Sequence, residues 1–535
     1  MKKATKKELI DFKKNYAADQ EVADRFMTFL DGRLQSTRQT RLQLEQDWLE
    51  YLRQWSCRLD NLGYQGRSNL FIPELNNQVE TSIERMVSTL FPTTDFLQCI
   101  PLRDTDDERA KKIKSAVLYE LVVKNKLPSI HWDFERAKLL FGNGIYRMGF
   151  EREYREVFML GKNGKPMSTQ VPKWDGVKVS VVDNFRFYVA PELADLDQAD
   201  LVFEDRIYSL KQAERDGIYV GLDDVPAITH DIDHQWVEAT KLELMDMSNV
   251  LQYYRGCALF TDVFCEFELK PGKWVPVMGT VANNQKVVRL TCNPFWFQKH
   301  PYLTAKYNNR PASGFYALSL ADKITTQQDQ INDLANQTMD SLNFIVNPIA
   351  IIDPGLAGDV NSMKVIPGAR WLASPQGVQF ANFPDVSGSG FRGMQEIRGQ
   401  IAQFSDNTPG IAPQLQGKVR SATQANIVEA SATATQKARA KIEEIEVLSP
   451  MAKMTHILLQ QFQSASWQIR VQGPEQGEWI LLNVDPKDLV GDVDFVWSGV
   501  SSIEKNQVYS QQLLAAFNLA MQASTILPPG ELDLS

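Results

Sequence analysis

A long polar helix near the middle of the chain constrains the fold more than any other feature. Across residues 315–344 the apolar side chains recur on one helix face, and the face is narrow. It consists of Leu320, Ile324, Ile331, Leu334 and Leu342. The other positions are mostly Gln, Asn, Asp, Ser and Thr, and four aspartates against one lysine give a net charge of −3. Because so narrow a stripe buries little apolar surface, we expect this helix to pack against the rest of the chain or against a neighbouring molecule.

Turn-forming residues separate this helix from two further helical stretches. Prolines punctuate residues 345–386, which predicts an irregular segment, and a short helix is predicted at 390–404. Pro409, Gly410 and Pro413 then forbid a continuous helix and predict a loop. From 421 to 447 the chain is rich in Ala and contains no Gly or Pro, so a long helix is predicted there.

Helical and strand patterns flank this central region on both sides. Helices are predicted before residue 142, one of them from the buried-face spacing of Leu75, Val79, Ile83, Met86 and Leu90. Alternating patterns predict strands at 145–160, 177–182, 251–269, 274–290, 479–484 and 493–497, before a last helix at 503–523. The predicted fold class is therefore α+β and predominantly helical. At 535 residues the chain also needs more than one hydrophobic core.

Composition narrows the functional classes. The net charge is −9, so tight wrapping of DNA is not expected, although a protein past which DNA slides is allowed. Five cysteines without a CxxC spacing argue against a structural zinc site and against a disulfide framework. The stretch 506–530 is uncharged but rich in Gln and Asn, so we do not expect it to cross a membrane.

Two short motifs could bind a metal ion, and each has a simpler structural interpretation. His230 and His234 would share a helix face, but no third ligand cluster accompanies them, which favours a solvated helix start. Asp492 and Asp494 could supply part of a two-metal nuclease site, yet acidic pairs at strand edges are common. The chain has neither a Walker A loop nor a GxSxG motif. No catalytic residue, metal site or cofactor is therefore predicted.

Four stretches, taken in order, resemble parts of a bacteriophage portal protein, the head-to-tail connector, of the short-tailed podovirus type. They are 85–92 (RMVSTLFP), the Gln- and Asn-rich run 320–334, 364–368 (KVIPG) in the Pro-rich segment, and 408–425. The resemblance spans nearly the whole chain and depends on the order of the elements, since no single motif is specific. It implies a portal-type subunit with wing, stem, clip and crown regions that assembles as a ring. About thirty-five residues follow Val500, so a long C-terminal barrel is not expected.

The resemblance implies a division of the chain into regions. The N-terminal part of the wing spans 1–313, the stem helix 314–344, the clip 345–386, and the second stem helix 387–404. The tunnel loop spans 405–420, the long helix with the C-terminal part of the wing 421–500, and the crown helix 501–535.

The function that the resemblance implies is that of a passive channel rather than an enzyme. About twelve copies would form a ring at the unique capsid vertex of the virion, after synthesis in the host cytoplasm. The ring would pass double-stranded DNA during packaging and ejection. Its partners would be the terminase large subunit, tail adaptor and tail proteins, and the major capsid and scaffolding proteins, with no membrane insertion by the chain itself.

Three sets of residues are candidates for the channel and its docking sites. On the acidic face of the stem, Asp322, Asp329, Asp333 and Asp340 would line the channel and repel DNA phosphates. In the tunnel loop, neutral Asn407, Gln414 and Gln416 could touch DNA, with Lys418 and Arg420 making weak, screened phosphate contacts. In the clip, Ile349, Ile351 and Ile352 would form an interface that docks the packaging motor and later the tail adaptor.

Two other interpretations remain open at this stage. A head–tail adaptor or tail structural protein would share the helical, Gln-rich character but would not need a clip-like insert between two helices. A metal-dependent nuclease would need the His230 or Asp492 clusters to bind ions. The tunnel-loop segment could also be a plain surface loop.

Overall fold

The computed structural model describes most of the chain, with gaps. The described residues are 14–58, 67–92, 96–102, 107–160, 166–190, 195–227, 235–244, 256–310, 314–353, 376–405, 435–472 and 479–500. The predicted tunnel loop up to residue 420, most of the predicted clip and the predicted crown helix lie outside these ranges, apart from Ser405.

The N-terminal part is mainly helical. It contains α1 (Gln20–Leu30), α2 (Arg33–Trp55), α3 (Glu74–Leu90), the short strand β1 (Leu97–Leu102), α4 (Asp107–Leu118) and α5 (Leu127–Phe141). A π-helical stretch, Tyr119–Lys124, continues α4. The five apolar residues predicted to form one face of α3 are all buried, which confirms that prediction.

Two antiparallel sheets follow. One has the order β3-β2-β9, and the other the order β4-β5-β6-β7-β8. Their strands are β2 (Asn143–Leu160), β3 (Pro166–Val181), β4 (Phe187–Val189), β5 (Leu201–Ser209), β6 (Cys257–Lys270), β7 (Lys273–Ala282), β8 (Lys286–Cys292) and β9 (Tyr302–Lys306). The short helices α6 (Leu210–Asp216) and α7 (Gln235–Leu244) lie between β5 and β6 in the sequence.

The stretch 274–290, predicted as one strand, is divided in two. Asn283 and Asn284 have φ of 47° and 57°, a left-handed conformation that asparagine tolerates better than most residues. They turn the chain back, so that β7 and β8 pair as an antiparallel hairpin. The predicted turn at Pro271-Gly272 is confirmed between β6 and β7.

A long helix, a hairpin and a second helix come next. They are α8 (Leu320–Val346), β10 (Ala350–Ile352) paired with β11 (Val378–Phe380), and α9 (Ser387–Phe404). Helix α8 begins at Leu320 rather than at residue 315 because Ser319 and Asp322 form a capping box. The preceding Phe315 and Tyr316 are buried in the core instead.

The C-terminal part returns to the N-terminal helices. Helical residues 435–443 and the π-helical Glu444–Leu448 lead into α10 (Ser449–Phe462), followed by the hairpin β12 (Trp467–Gln472) and β13 (Trp479–Val484). The strand β14 (Asp492–Trp497) pairs antiparallel with β1, nearly four hundred residues earlier in the chain. The α+β class is thus confirmed, with elements from both ends of the chain in one body.

Large hydrophobic clusters hold this body together and position α8. One cluster joins α4, α5, β2, α10 and β14 through residues such as Val117, Phe134, Met148, Leu458 and Trp497. A second joins α2, α3, α5 and the first turns of α8, with Trp48 and Ile324 among its members. A third seats α1 on the five-stranded sheet. The N-terminal turns of α8 therefore belong to the core, whereas its last turns leave it.

Candidate functional site

Helices α8 and α9 form an antiparallel pair that is unusually close because of two glycines. A Cβ at Gly390 would lie 2.2 Å from Thr338 Oγ1, and one at Gly393 would lie 2.8 Å from Leu334 Cδ2. Beside them, Met394 of α9 packs with Ile331 and Ala335 of α8. The narrow apolar stripe predicted for the long helix is therefore used within the chain, to hold the second helix.

The far end of the helix pair carries apolar side chains that the chain leaves uncovered. Val346 is 72% exposed, Ile349 51%, Ile351 59% and Phe380 50%. Ile352 is half-buried. In this region the strands β10 and β11 pair antiparallel over three residues each. Beside them, Phe344 stacks on Phe383 with ring centroids 5.2 Å apart. Exposed apolar groups at this density are typical of a surface that another molecule covers.

The polar face of α8 binds residues 67–73, which have no regular secondary structure, and the first turn of α3. The backbone N–H groups of Ser68, Leu70, Ile72 and Leu75 donate to the side chains of Asp340, Asn336, Asn332 and Gln328, at 2.6, 2.6, 2.9 and 2.9 Å. These four acceptors are spaced by four residues, so they form one row along the helix. The amides of Asn336 and Gln328 also donate, to the carbonyls of Leu70 and Ile72. The Gln- and Asn-rich character of α8 thus satisfies backbone groups that no strand pairs.

The four aspartates predicted to line a channel have different surroundings. Asp322 is half-buried, caps α8 and accepts a hydrogen bond from Tyr51 at 2.9 Å. Asp340 accepts the Ser68 N–H, as described above. Asp329 accepts from the Gln54 amide at 3.0 Å but is an exposed residue, and Asp333 is also exposed. Three of the four carboxylates, those of Asp322, Asp329 and Asp340, thus accept hydrogen bonds within the chain. That the four line a channel stays a prediction.

A smaller acidic patch remains on the exposed side of α8. It consists of Asp329 and Asp333, with Glu50 of α2 beside them. Burial, together with the negative charges of Glu50 and Asp333, raises the pKa of Asp329, although Arg53 opposes this shift. Burial is the larger cause of this shift, and Glu50 itself pairs with Arg53, so the negative charge of the patch comes mainly from Asp329 and Asp333.

The tunnel-loop residues Asn407, Gln414, Gln416, Lys418 and Arg420 all lie outside the described residues. The structure describes the elements on either side of them. Helix α9 ends at Phe404, and Ser405 Oγ donates to Gln78 Oε1 of α3 at 2.7 Å. Helical structure is described again from residue 435.

The residues of the nuclease alternative are not assembled into a site within the described ranges. Asp492 and Asp494 are exposed on β14, and neither belongs to a described group of three or more His, Cys, Asp or Glu side chains with ligand spacing. His230 and His234 lie outside the described residues. The one described group with such spacing, His131, Glu135 and Glu443, was missed from the sequence because Glu443 is more than three hundred residues from its neighbours.

Among the helices that the structure describes, none is long and apolar enough to cross a membrane.

A long helix and a shorter one, with a pair of short strands between them in the sequence and an α+β body around them, are the elements on which the resemblance to phage portal proteins rests. A family model described as Phage SU10 portal protein matches residues 166–531, which is more than half of the chain. The chain therefore belongs to the Phage SU10 portal protein family, and the podovirus-type resemblance is confirmed. No curated protein sequence matches the chain.

Proposed function

We propose that this chain is the subunit of a ring-shaped portal, about twelve copies of which surround a channel for the phage genome. The family match supports a phage portal role and favours it over the adaptor and nuclease alternatives. The main support for a ring is the uncovered apolar surface at the end of the α8–α9 pair. It contains Val346, Ile349, Ile351 and Phe380, which are at least half exposed. A head-to-tail arrangement that closes on itself would cover part of this surface with a neighbouring copy.

The hairpin at the end of the helix pair is the proposed clip. Its exposed residues Ile349 and Ile351, with half-buried Ile352, offer an apolar surface of the kind that binds a protein partner. In a portal these partners are the terminase large subunit during packaging, and tail adaptor or tail proteins afterwards. The major capsid and scaffolding proteins would contact the wing, at the capsid vertex of the virion.

The channel acts passively in this proposal. Asp329 and Asp333, repeated in every subunit, would give a ring of negative charge that repels phosphates and keeps DNA from adhering to the wall. The tunnel-loop residues Asn407, Gln414, Gln416, Lys418 and Arg420 would contact the DNA more closely, with two cations whose effect is screened by salt. The work of translocation would come from a separate ATP-driven motor.

The mass of the assembly, combined with one clip variant, tests this proposal. Purified protein at micromolar concentration should form one dominant closed species of many subunits, measured by native mass spectrometry or mass photometry. Ile351→Asp should weaken ring assembly, motor docking or both, because it places a charge on the apolar surface. Leu481→Asp is the matched control, since Leu481 is a 69% exposed residue in another two-stranded hairpin.

Two results would count against the proposal. If the protein stays monomeric at every ionic strength and concentration tried, the proposal of a ring is wrong. If Ile351→Asp assembles normally and docks the motor normally, the assignment of this region as the clip is wrong.

A further inference from the structure

A fully buried cluster of ionisable side chains lies where α5 meets the helical stretch before α10. His131, Glu135 and Lys138 come from α5, and Glu443 comes from the end of the helical residues 435–443. The four residues are at most 4% exposed. The Lys138 ammonium donates hydrogen bonds to both Glu135 and Glu443. His131 Nδ1 is 2.8 Å from the hydroxyl oxygen of Tyr146 on β2.

Two atoms in this cluster have no hydrogen-bond partner among the described residues. They are His131 Nε2 and Glu443 Oε1, which lie 3.6 Å apart. His131 Nε2 is also 3.4 Å from Glu135 Oε1. Both separations are too long for a good N–H···O hydrogen bond, and a buried polar atom without a partner is costly. The imidazole nitrogen therefore points into a gap that two carboxylates also face.

The size of this gap matches that of a small divalent cation. In a tetrahedral zinc site with bonds of about 2.0–2.1 Å, the ligand atoms are about 3.3 Å apart. The ligand atoms of His131, Glu135 and Glu443 all lie within 4.8 Å of one another, and the two separations from the imidazole are close to the tetrahedral value. Tyr146, on the other ring nitrogen of His131, holds the imidazole in position, as an outer partner does in metal sites.

The side chains of the cluster carry more negative than positive charge, as the ligands of a cation do. Two carboxylates outnumber one ammonium, so the site is net negative when both are ionised and His131 is neutral. Lys138 offsets part of this negative charge. It donates to Glu443 Oε2, whose other oxygen faces the gap, and to Glu135 Oε1, which is also the oxygen 3.4 Å from His131 Nε2.

An ion has a route to this cluster. A cleft of about 80 Å³ is lined by Glu135, Lys138 and Glu443, and also by Ile442, which is 54% exposed. The cleft therefore reaches from the surface to the carboxylates.

We propose that His131 Nε2, Glu135 and Glu443 bind a divalent transition-metal ion, with Zn²⁺ the best match to one imidazole and two carboxylate ligands. The ion would fasten α5 to the helical stretch 435–448. Its role would be structural, because the side chains that hold it are buried inside the subunit.

Metal content and thermal stability of the full-length protein test this proposal. After dialysis against a chelator, the protein should take up about one Zn²⁺ per chain, measured by inductively coupled plasma mass spectrometry after gel filtration. Added Zn²⁺ should raise the Tm by about 2 °C or more, because an ion that binds only the folded state stabilises it. Co²⁺ in its place should give the visible absorption of a tetrahedral site.

Variants show whether the ion binds at this cluster or adventitiously at the protein surface. His131→Gln and Glu443→Gln should each lose the bound ion and the shift in Tm. His456→Gln is the matched control, since His456 is a buried histidine of the same core whose Nε2 already pairs with the Leu489 carbonyl at 2.9 Å, and it should keep both.

Three outcomes would overturn the proposal. They are failure of the parent protein to take up an ion, uptake without the Co²⁺ spectrum of a tetrahedral site, and uptake that persists in the His131 and Glu443 variants. If neither variant folds, the stoichiometry and the Co²⁺ spectrum of the parent protein decide the question.

Discussion

A row of polar residues crosses the five-stranded sheet and shows how single residues set its stability. Glu204, Asp262, Thr280 and Arg289 face one another on four successive strands. Asp262 is fully buried, accepts a hydrogen bond from Thr280 at 2.8 Å, and forms ion pairs with Arg206 and, at 3.2 Å, with Arg147. Burial opposes its ionisation, but Arg206 and Arg147 outweigh burial and hold the pKa of Asp262 below its usual value.

Asp262→Asn should therefore destabilise the protein strongly at neutral pH. Removing one partner of a buried ion pair costs about 3–5 kcal/mol, because the arginines lose their compensating charge. A carboxyl group with a depressed folded pKa contributes stability above its unfolded pKa of about 3.9, and this contribution is lost as the pH falls through the folded value. The urea midpoints of parent and variant should thus differ at pH 7 and converge towards pH 3.

Asp224→Asn is the control for this prediction. Asp224 is exposed and pairs with Lys286 at 2.6 Å on the surface, so its loss should change the urea midpoint little at either pH. Equal effects of the two substitutions would mean that the buried pair is not the source of the stability.

Gly390 is the second residue whose substitution has a clear expected sign. Alanine there would place a Cβ 2.2 Å from Thr338 Oγ1 and 3.2 Å from Thr338 Cβ, which would push α9 away from α8. Overpacking of this kind costs about 1–3 kcal/mol. Gly399→Ala is a matched control in the same helix, because no atom lies within 4 Å of its added Cβ. That change should stabilise the helix by about 0.5–1 kcal/mol.

Hydrogen–deuterium exchange measures both glycine variants at the site of the change. Gly390→Ala should speed exchange in α8 beyond Ile331 and in the first turns of α9, whereas Gly399→Ala should slow exchange in α9. Unchanged exchange in Gly390→Ala would show that the helices are not in close contact at Thr338.

At the scale of elements, hydrogen bonds between the polar face of α8 and the segment 67–73 hold both in place. A segment without a sheet or helix partner needs other acceptors for its N–H groups, and Asn332, Asn336 and Asp340 supply them. Gln328 continues the row to the Leu75 N–H in the first turn of α3. Asn336 is the centre of this row because it both accepts from and donates to Leu70.

Asn336→Ala should release the segment 67–73 from α8. Two hydrogen bonds to backbone groups of Leu70 are lost, each worth about 0.5–1.5 kcal/mol, because Leu70 is exposed and water can replace these partners. Limited proteolysis should then cut faster near residues 67–72. Gln337→Ala, at an exposed neighbouring position, should leave the rate unchanged, and equal cleavage rates for the two variants would contradict the role of the row.

The same elements show what the sequence could and could not predict. Apolar spacing predicted α3 and the buried stripe of α8, because burial of one face imposes a period that a sequence displays. Spacing did not reveal the use of the polar face of α8, since a row of amides that binds backbone has the same composition as a solvated face. Neither could spacing join Glu443 to His131 and Glu135, because only the tertiary fold of α5 against residues 435–443 brings them together.

At the scale of the whole molecule, the net charge of −9 matters where acidic side chains are exposed on α8. Two of the four aspartates of the long helix serve the subunit itself, one as a helix cap and one as a backbone acceptor. Asp329 and Asp333, with Glu50 beside them, are the more exposed part of this charge, and we propose that this acidic patch acts on DNA. Repetition around a ring would multiply a patch that is weak in one subunit.

Reversal of this patch tests the proposed channel without disturbing the core. In Asp329→Lys with Asp333→Lys, the ring should still assemble, because both residues are exposed. Each subunit changes by four charge units, so DNA should adhere to the channel wall, and this adhesion should weaken as salt rises. Packaging should slow at low salt and recover partly at higher salt. Glu21→Lys with Asp24→Lys makes the same change at exposed positions on α1, a helix seated on the five-stranded sheet, and should package like the parent. If the α8 and α1 variants package DNA equally well across the range of salt, the acidic patch of α8 does not face the DNA.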